Sequence, residues 1–212
     1  MMLLSFLESI DTDILLAVNG SNSPTFDSLM WWMSDRWIWI PLYLLVAASL
    51  VRRLGWAKGI AVIAAAATVI ALTDQTCSTI IRPAVARLRP SNPDNPINIG
   101  LHIVNGYRGG SYGFPSCHAA NTFAFALFIS LILRNRYIAM SLITWTVLVS
   151  YSRIYLGVHY PGDVIGGFVI GGFYASTCYM ALKLLSLPGN RFSGQDRSRK
   201  ARGKRLPKTA RW

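Results

Sequence analysis

Five stretches of this chain contain no Lys, Arg, Asp or Glu, and they constrain the fold more than any other feature. The runs cover residues 37–51, 59–73, 109–133, 137–152 and 164–182. Each is close to, or can be extended to, the roughly 20 residues that an α-helix needs to cross a bilayer. Only 14% of the 212 residues are charged, too few for an ordinary soluble domain. The sequence therefore predicts an all-α, polytopic transmembrane bundle of about five spans.

The N-terminal segment is predicted to form an amphipathic helix at the membrane interface. Its apolar residues recur at helical spacing, at Leu4, Leu7, Ile10, Ile14 and Leu15. Three acids and the lack of a basic leader argue against a cleavable signal peptide. A second short helix is expected from about residue 24 to 35, and a sixth span in this region is the main alternative topology.

The cationic loops predict the orientation, because cytoplasmic loops carry an excess of Lys and Arg. Cations lie between the first and second runs, between the third and fourth, and after the fifth, at Arg52, Arg53, Lys58, Arg134, Arg136 and in the C-terminal segment. With five spans, all three places share one side of the membrane, which is therefore predicted to be cytoplasmic.

The C-terminal segment, residues 189–212, holds nine Lys or Arg and one acid, and so supplies most of the net charge of +12. We interpret it as a disordered cytoplasmic tail near anionic lipid headgroups. A nucleic-acid partner is not favoured, because the charge belongs to a segment without a recognisable nucleic-acid fold. Residues 1–188 then form a single membrane domain.

Three segments contain nearly all of the unusual polarity: RPAVARLRP at 82–90, FPSCHAANTF at 114–123 and SRIYLGVHYPGD at 152–163. In the five-span topology all three meet at the outer face. An arginine at the bilayer centre costs about 2.5–3.5 kcal/mol even on the lenient insertion scale. The arginines of these segments, at 82, 87, 89 and 153, should therefore line a wet cavity or contact headgroups. Clustered guanidinium groups suit phosphate oxygens.

Helix starts and histidines complete the expected anion site. Pro115 with Ser116, and Pro161, are typical of helix N-termini, whose free N–H groups favour anions. His159 and Asp163 are four residues apart, so the carboxylate can hold one ring nitrogen and leave the other as a nucleophile or base. His118, at the other helix start, is a candidate proton donor. The third histidine, His102, receives no role.

At these positions the chain resembles the type 2 phosphatidic acid phosphatases, membrane lipid phosphatases related to vanadium haloperoxidases. That family carries the motifs K-x6-RP, PSGH and SR-x5-H-x3-D. This chain has R-x6-RP from Arg82 to Pro90, PSCH from Pro115 to His118, and SR-x5-H-x3-D from Ser152 to Asp163. Motif order, spacing and predicted membrane side agree over residues 82–163, and the helical pattern extends the resemblance to about 37–188.

The sequence departs from the family pattern at two positions. Arg82 stands in place of the usual lysine, which keeps the charge but changes reach and donor geometry. Cys117 stands in place of the usual glycine, and we interpret it as a tolerated small substitution. A reactive thiol is the alternative there, because a helix N-terminus beside arginines favours the thiolate.

The resemblance implies a mechanism and a set of site residues. His159 would attack phosphorus and form a phosphohistidine, Asp163 would fix its tautomer, and His118 would protonate the leaving group and then assist water. The phosphate oxygens would be held by Arg82, Arg89, Arg153, Ser116 and the backbone N–H of Cys117. No metal or other cofactor is required. Arg87 lies off the signature positions, so a headgroup or structural contact is expected for it.

The resemblance also implies a lipid phosphate substrate and, in a bacterium, a site on the periplasmic face of the inner membrane. Undecaprenyl diphosphate, phosphatidylglycerophosphate, phosphatidic acid and lipid A phosphate all remain open, as does the oligomeric state. Residues 91–113 are expected to form an irregular cover near the pocket mouth.

Three other interpretations compete with this one. A serine hydrolase would use Ser116, His118 and Asp163, but Ser116 does not lie in a G-x-S-x-G motif. A zinc hydrolase would use His118, His159 and Asp163, but no HExxH occurs and arginines repel a cation. A non-catalytic membrane protein would use the arginines for anion passage or docking, and the unbroken third motif argues against it.

Overall fold

The computed structural model describes residues 2–185, and the predicted C-terminal tail lies outside this range. Within it the protein is helical, and its only β pairing is a single antiparallel bridge between Leu88 and Tyr112. The α-helices are α1 (Met2–Gly20), α2 (Pro24–Ser34), α3 (Ile40–Leu54), α4 (Trp56–Gln75), α5 (Arg82–Val85), α6 (Cys117–Leu133), α7 (Arg136–Tyr155) and α8 (Pro161–Leu185). The all-α prediction is confirmed.

Helix α6 is the centre of the bundle, with α4, α7 and α8 packed around it. Its apolar side chains join those of α3, α4, α7 and α8 in one core that includes Phe128, Ile129 and Val69. Tyr43 of α3, Phe125 of α6 and Trp145 of α7 meet edge to face, with ring centroids 4.9–6.1 Å apart, an arrangement that aromatic quadrupoles favour.

Glycines let α8 approach α6 closely. A Cβ at Gly171 would lie 2.4 Å from the carbonyl oxygen of Ala120, and one at Gly167 would lie 2.6 Å from that of Ser116. Small residues four apart bring helix backbones together in membranes, where apolar side chains gain nothing from leaving lipid. The two helices therefore pack backbone against backbone at the end where α6 begins.

Helix α4 continues through a π-helical segment, Thr76–Ile81, into the short α5. Pro83 follows at the start of α5 and lacks the N–H needed for a regular helical hydrogen bond. The wider turn rotates the helix surface just before Arg82, and π-helical turns of this kind are frequent at functional sites. Ala86 then adopts a left-handed conformation with φ of 50°, which ends the helix.

Among residues 2–185, three helices are long and apolar enough to cross a membrane: Trp37–Leu54, Trp56–Val85 and Pro161–Leu185. The apolar helix Cys117–Leu133 has 17 residues, slightly fewer than the usual span. Helix α7 has 20 residues, but Arg136 and Arg153 lie near its ends. The protein is thus an integral membrane protein, while the number of five spans stays a prediction.

The N-terminal helices α1 and α2 form where the sequence predicts helices, and α1 leaves apolar residues exposed. Phe6, Leu7, Ile10 and Ile14 are exposed, whereas Leu15 on the same helix is fully buried. Helices α1 and α2 both pack against α7. Between Ala86 and Ser116 the chain crosses this end of the bundle as an irregular segment with two short 3₁₀ turns, Pro96–Gly100 and Val104–Gly106.

Candidate active site

The three polar segments predicted from the sequence come together at one end of the bundle. The backbone N–H of Ser116, just before α6, donates to the carbonyl of Asp163 in the first turn of α8 at 2.9 Å. The first polar segment is tied to the start of the second, because the N–H of Gly113, just before Phe114, donates to the carbonyl of Arg87 at 2.8 Å. Helix α7 supplies Arg153 and leads into the turn that carries His159.

His159 and Asp163 are paired as the i,i+4 spacing predicts. Nδ1 of His159 lies 3.4 Å from Oδ2 of Asp163, and both side chains are buried, with 1% and 0% exposure. The same carboxylate oxygen accepts the backbone N–H of Tyr160 at 3.0 Å. With its Nδ1 side facing the carboxylate, the imidazole directs Nε2 away from Asp163, into the arginine cluster.

Arg89 contacts the free side of that imidazole. Its Nη1 lies 3.2 Å from Nε2 of His159 and 3.3 Å from the carbonyl of Val158. Its Nε donates to the carbonyl of Tyr112 at 3.0 Å, which fixes the guanidinium plane. A side chain at Gly109 would meet this guanidinium at 2.8 Å, so the crossing segment closes over Arg89 with backbone alone.

Burial and like charges shift two pKa values outside the membrane-spanning helices. The pKa of His159 lies well below its ordinary value, because burial and then the charges of Arg89, Arg153 and Arg82 disfavour the imidazolium. The pKa of Arg89 is lowered to about 10 by burial and by Arg153 and Arg82. At neutral pH the site therefore combines a neutral imidazole with cationic guanidinium groups.

Arg153 is buried and is held by hydroxyl groups from two other segments. Its Nη1 donates to Oγ of Ser34 at the end of α2, and its Nη2 donates to the hydroxyl of Tyr107 at 3.3 Å. Its Nε is buried without a hydrogen-bond partner among the described residues. Arg153 thus lacks a carboxylate among these contacts, so an added anion would be favourable beside it.

Arg82 reaches the start of α6. Its Nη2 donates to the carbonyl of Pro115 at 3.1 Å and contacts Sγ of Cys117 at 2.8 Å. Cys117 packs with Cys77 and Ala120 in a small buried cluster, and all three cysteines are free thiols. The side chain of Cys117 is therefore accommodated beside Cys77 of the π-helical segment.

Ser116 and His118 lie where the second motif opens helix α6. The buried hydroxyl of Ser116 caps the helix by accepting the N–H of Ala119 at 3.5 Å. His118 is half-buried, and its ring lies within electrostatic range of Arg153, His159 and Arg89. The structure thus brings His118 to the arginine and histidine cluster, while the Ser116 side chain is engaged by its own helix.

Several residues at the site were missed by sequence reasoning. Asp11 of α1 bonds to Arg87, and Ser34 and Tyr107 hold Arg153. His102, to which we assigned no role, pairs with Asp27 at 2.9 Å. Among these residues, only Asp11 could have been noticed in the sequence, because it is an acid on a helix that is expected to lie against lipid.

This neighbouring network ties the N-terminal helices to the end of α7. The hydroxyl of Tyr155 donates to Asp27 at 2.7 Å, and the amide of Asn19 donates to the carbonyls of Tyr155 and His102. Beside it lies a cavity of about 510 Å³, lined by residues that include Asp27, Trp31, Trp32 and His102. The network and the cavity adjoin the arginine cluster, because Trp31 packs on Tyr107, the partner of Arg153, with ring centroids 5.5 Å apart.

Comparison with known proteins assigns the chain to a family. The model of the PAP2 superfamily matches residues 58–185. The lipid A 4'-phosphatase of Bacteroides thetaiotaomicron is 44% identical over 167 residues, which cover 79% of this chain and 74% of that protein. The lipid A 4'-phosphatase of Porphyromonas gingivalis is 32% identical, over 77% of this chain and 69% of that protein.

A solved structure shows the same fold. The transmembrane PAP2-type phosphatidylglycerolphosphate phosphatase from Bacillus subtilis superposes with a TM-score of 0.62, covering 88% of this chain and 89% of that one, at 22% identity. Together with the converging motifs, these similarities fit a phosphoric ester hydrolase acting on lipids. The chain belongs to the PAP2 superfamily and is a membrane lipid phosphatase.

Proposed function

We propose that this phosphatase hydrolyses a phosphate monoester on the sugar of a glycolipid of the lipid A class. Two relatives with 44% and 32% identity are lipid A 4'-phosphatases, and this identity extends over most of the chain. Acyl chains would stay in the bilayer while the sugar phosphate reaches the end of the helical bundle. Undecaprenyl diphosphate, phosphatidylglycerophosphate and phosphatidic acid are the competing substrates.

The cavity beside the site supports a sugar headgroup. Its walls include the indoles of Trp31 and Trp32, a carboxylate at Asp27 and the imidazole of His102. Indole faces pack against the C–H faces of a pyranose, and a carboxylate accepts hydroxyl hydrogen bonds. Because Trp31 of the cavity wall packs on Tyr107, and Tyr107 bonds to Arg153, a sugar in the cavity would lie close to the arginines with its phosphate.

The mechanism that we propose uses His159 as the nucleophile. One observation carries this assignment: Nδ1 faces Asp163 at 3.4 Å, whereas Nε2 lies at the arginine cluster. Nε2 would bond to phosphorus as the P–O bond of the leaving sugar hydroxyl breaks, and Asp163 would stabilise the charge that develops on the ring. Water would then attack phosphorus, release phosphate and restore His159.

His118 is assigned as the proton donor to the leaving oxygen, and afterwards as the base for the attacking water. The equatorial oxygens would be held by Arg82, Arg89 and Arg153, with the N–H of Cys117 at the start of α6. Arg89 would exchange its contact with Nε2 for one with phosphate. The Ser116 side chain would contribute chiefly by capping the helix that presents this N–H.

We further propose five spans, formed by α3, α4, α6, α7 and α8, with α1 and α2 at the interface. The site would then lie on the periplasmic face of a bacterial inner membrane, and residues 189–212, rich in Lys and Arg, would meet anionic headgroups on the cytoplasmic side. The exposed apolar residues of α1, among them Phe6 and Leu7, support contact with lipid.

Phosphate release from a panel of purified lipids tests the proposed substrate. The full chain in detergent is offered lipid A, undecaprenyl diphosphate, phosphatidylglycerophosphate and phosphatidic acid, with His159→Ala as the inactive control. We expect the highest kcat/KM on lipid A, and mass spectrometry should locate the phosphate that is lost. Higher kcat/KM on another lipid would overturn the glycolipid assignment and leave the family activity intact.

Substitution of Trp32 tests the sugar cavity separately. Trp32→Ala should raise KM for lipid A by about tenfold, equivalent to about 1.4 kcal/mol, and leave KM for phosphatidic acid unchanged. Trp56, which is also exposed but opens α4 outside this cavity, provides the matched control as Trp56→Ala. Equal effects of Trp32→Ala on both lipids would exclude a headgroup role for the cavity.

A further inference from the structure

Arg87 makes two charged contacts at the edge of the site, although it lies off the signature positions of the first motif. Its Nη1 donates to Oδ1 of Asp163 at 2.9 Å, and its Nη2 donates to Oδ2 of Asp11 at 2.6 Å. Its guanidinium also lies over the ring of Tyr160, 4.0 Å from the centroid, which is a favourable position for a cation. Arg87 therefore bridges an acid of α1 and an acid of α8, two helices that are far apart in the sequence.

The Arg87 bond divides the Asp163 carboxylate into two differently used oxygens. Oδ1 accepts from Arg87, whereas Oδ2 faces Nδ1 of His159 and accepts the N–H of Tyr160. A fully buried carboxylate is costly unless it is paired and hydrogen-bonded. Arg87 pairs with the buried Asp163 carboxylate through Oδ1. This salt bridge keeps Oδ2 turned toward the imidazole of His159.

Asp11 holds the other side of this arrangement. Its Oδ2 accepts from Arg87, and its Oδ1 accepts the N–H of Gly162 at 2.6 Å. Gly162 directly precedes Asp163 in the first turn of α8, where an acid is favoured by the helix dipole. A Cβ at Gly162 would lie 2.9 Å from Oδ2 of Asp11, so a side chain here would displace the Asp11 carboxylate from its bonds.

We propose that Arg87 and Asp11 are positioning residues for the reaction, which orient Asp163 toward His159 and make helix α1 part of the catalytic apparatus. The inference rests on the proposed role of His159 as nucleophile. Some residues orient a reacting group by hydrogen-bonding to it on the side away from the substrate. Removing such a residue commonly lowers activity by about 10–100-fold. The raised pKa of Arg87 agrees, because Asp163 and Asp11 outweigh the effect of burial.

The charged groups around Asp163 determine what a substitution should do to the pH dependence. Arg87 and Arg89 face it from the segment after α5, His159 from the turn before α8, and Asp11 acts through Arg87 from α1. Removing the Arg87 charge makes ionisation of the Asp163 carboxyl harder. The acid limb of the pH–rate profile should therefore move to higher pH.

The test compares Arg87→Gln, Arg87→Gly and Asp11→Asn with the unmodified full chain and with Arg134→Gln. Arg134 is exposed at the far end of α6, where it donates to Tyr179, and its substitution should leave kcat unchanged. Arg87→Gln should lower kcat by about 10–100-fold with little change in KM, and shift the acid limb upward. Asp11→Asn should do the same to a smaller extent.

Two further measurements separate positioning from a merely structural contact. Added guanidinium ion should restore part of the activity of Arg87→Gly, and ethylammonium, of similar charge but without the planar donors, should restore less. The double variant Arg87→Gln/Asp11→Asn should lose less than the sum of the single losses in activation free energy, because both act through Asp163.

The outcomes distinguish this inference from the proposed function. An unchanged chain that releases no phosphate from any lipid would remove the function itself. An active chain whose Arg87→Gln and Asp11→Asn variants keep its kcat and pH profile would overturn only the positioning role. If Arg87→Gln fails to fold, as judged by gel filtration in detergent, Asp11→Asn tests the same prediction without removing the cation.

Discussion

Nε2 of His159 lies 3.2 Å from Nη1 of Arg89, so the ring nitrogen that faces away from Asp163 contacts a guanidinium group. Burial first, and then this contact, keep the imidazole neutral beside the arginine cluster. The contact also makes the protonation of His159 sensitive to the charge of one arginine.

The pH dependence of the free enzyme should reflect this low pKa. Since burial and the charges of Arg89, Arg153 and Arg82 disfavour the imidazolium, His159 stays neutral as the pH falls through its ordinary value of about 6.5. Arg89→Gln removes one cation, so the ring takes a proton at higher pH and the acid limb of kcat/KM should move upward.

Measurement of kcat/KM against pH with one soluble phosphate monoester checks this shift. Ionisation of the substrate affects both proteins equally, so the difference between the two profiles reports the enzyme. A limb that stays in place, or moves to lower pH, would contradict the electrostatic link between Arg89 and His159.

A leaving-group comparison should reveal the role of His118. If His118 protonates the leaving oxygen, His118→Ala should lower kcat on a lipid phosphate by about 10²–10⁴-fold. With p-nitrophenyl phosphate, whose leaving group needs no proton, the loss should be much smaller. Equal losses on both substrates would instead indicate that His118 only holds phosphate.

The close packing of α8 on α6 should be intolerant of side chains. Gly171→Ala places a methyl group 2.4 Å from the carbonyl oxygen of Ala120, and should destabilise the fold by about 1–3 kcal/mol. Gly172→Ala is the matched control, because its Cβ would meet only the Phe123 ring at 3.3 Å. Thermal unfolding in detergent, followed by gel filtration, should separate the two variants.

The hydroxyl of Tyr107, which accepts a hydrogen bond from Arg153, should contribute to the free energy of unfolding. Tyr107→Phe leaves one N–H of a buried guanidinium without its acceptor, at an expected cost of about 1–3 kcal/mol. Vanadate, a phosphate mimic, should restore part of this stability by binding the same cation. Tyr112→Phe, in the same segment but more exposed, should unfold like the unmodified chain, and identical melting of both variants would contradict the role of Tyr107.

Backbone strain at Ala86 offers a change in the opposite direction. A non-glycine residue with φ of 50° carries a steric cost that glycine avoids. Ala86→Gly should therefore keep or raise the melting temperature, by an amount equivalent to a few tenths to about 1 kcal/mol. A clear fall in melting temperature would show that the Ala86 methyl group makes a contact that outweighs the strain.

The sequence predicted the helices and the gathering of three motifs because both leave local signals. Charge-free runs mark apolar helices, and the His159–Asp163 spacing fixes which side chains can pair within one helical turn. Capping residues such as Ser116 and Pro161 mark where helices begin, so the direction of each N–H group also follows from the sequence.

The partners of these residues could not be predicted, because they come from segments without a local signal. Ser34 ends a short helix and contacts Arg153 across 119 positions of sequence, and no pattern near either residue indicates the other. The number of spans is equally hard to derive, since α7 carries arginines at both ends and its crossing depends on where those charges meet water.

The bond from Gly162 to Asp11 has a consequence for how the protein is made. Asp11 of α1 is synthesised before Gly162 of α8, its hydrogen-bond partner 151 positions later in the sequence. The nascent chain therefore contains Asp11, which holds Arg87 and Gly162, long before Asp163 is synthesised. Phosphatase activity should appear only once α8 has entered the membrane, which makes hydrolysis itself a reporter of the insertion of this helix.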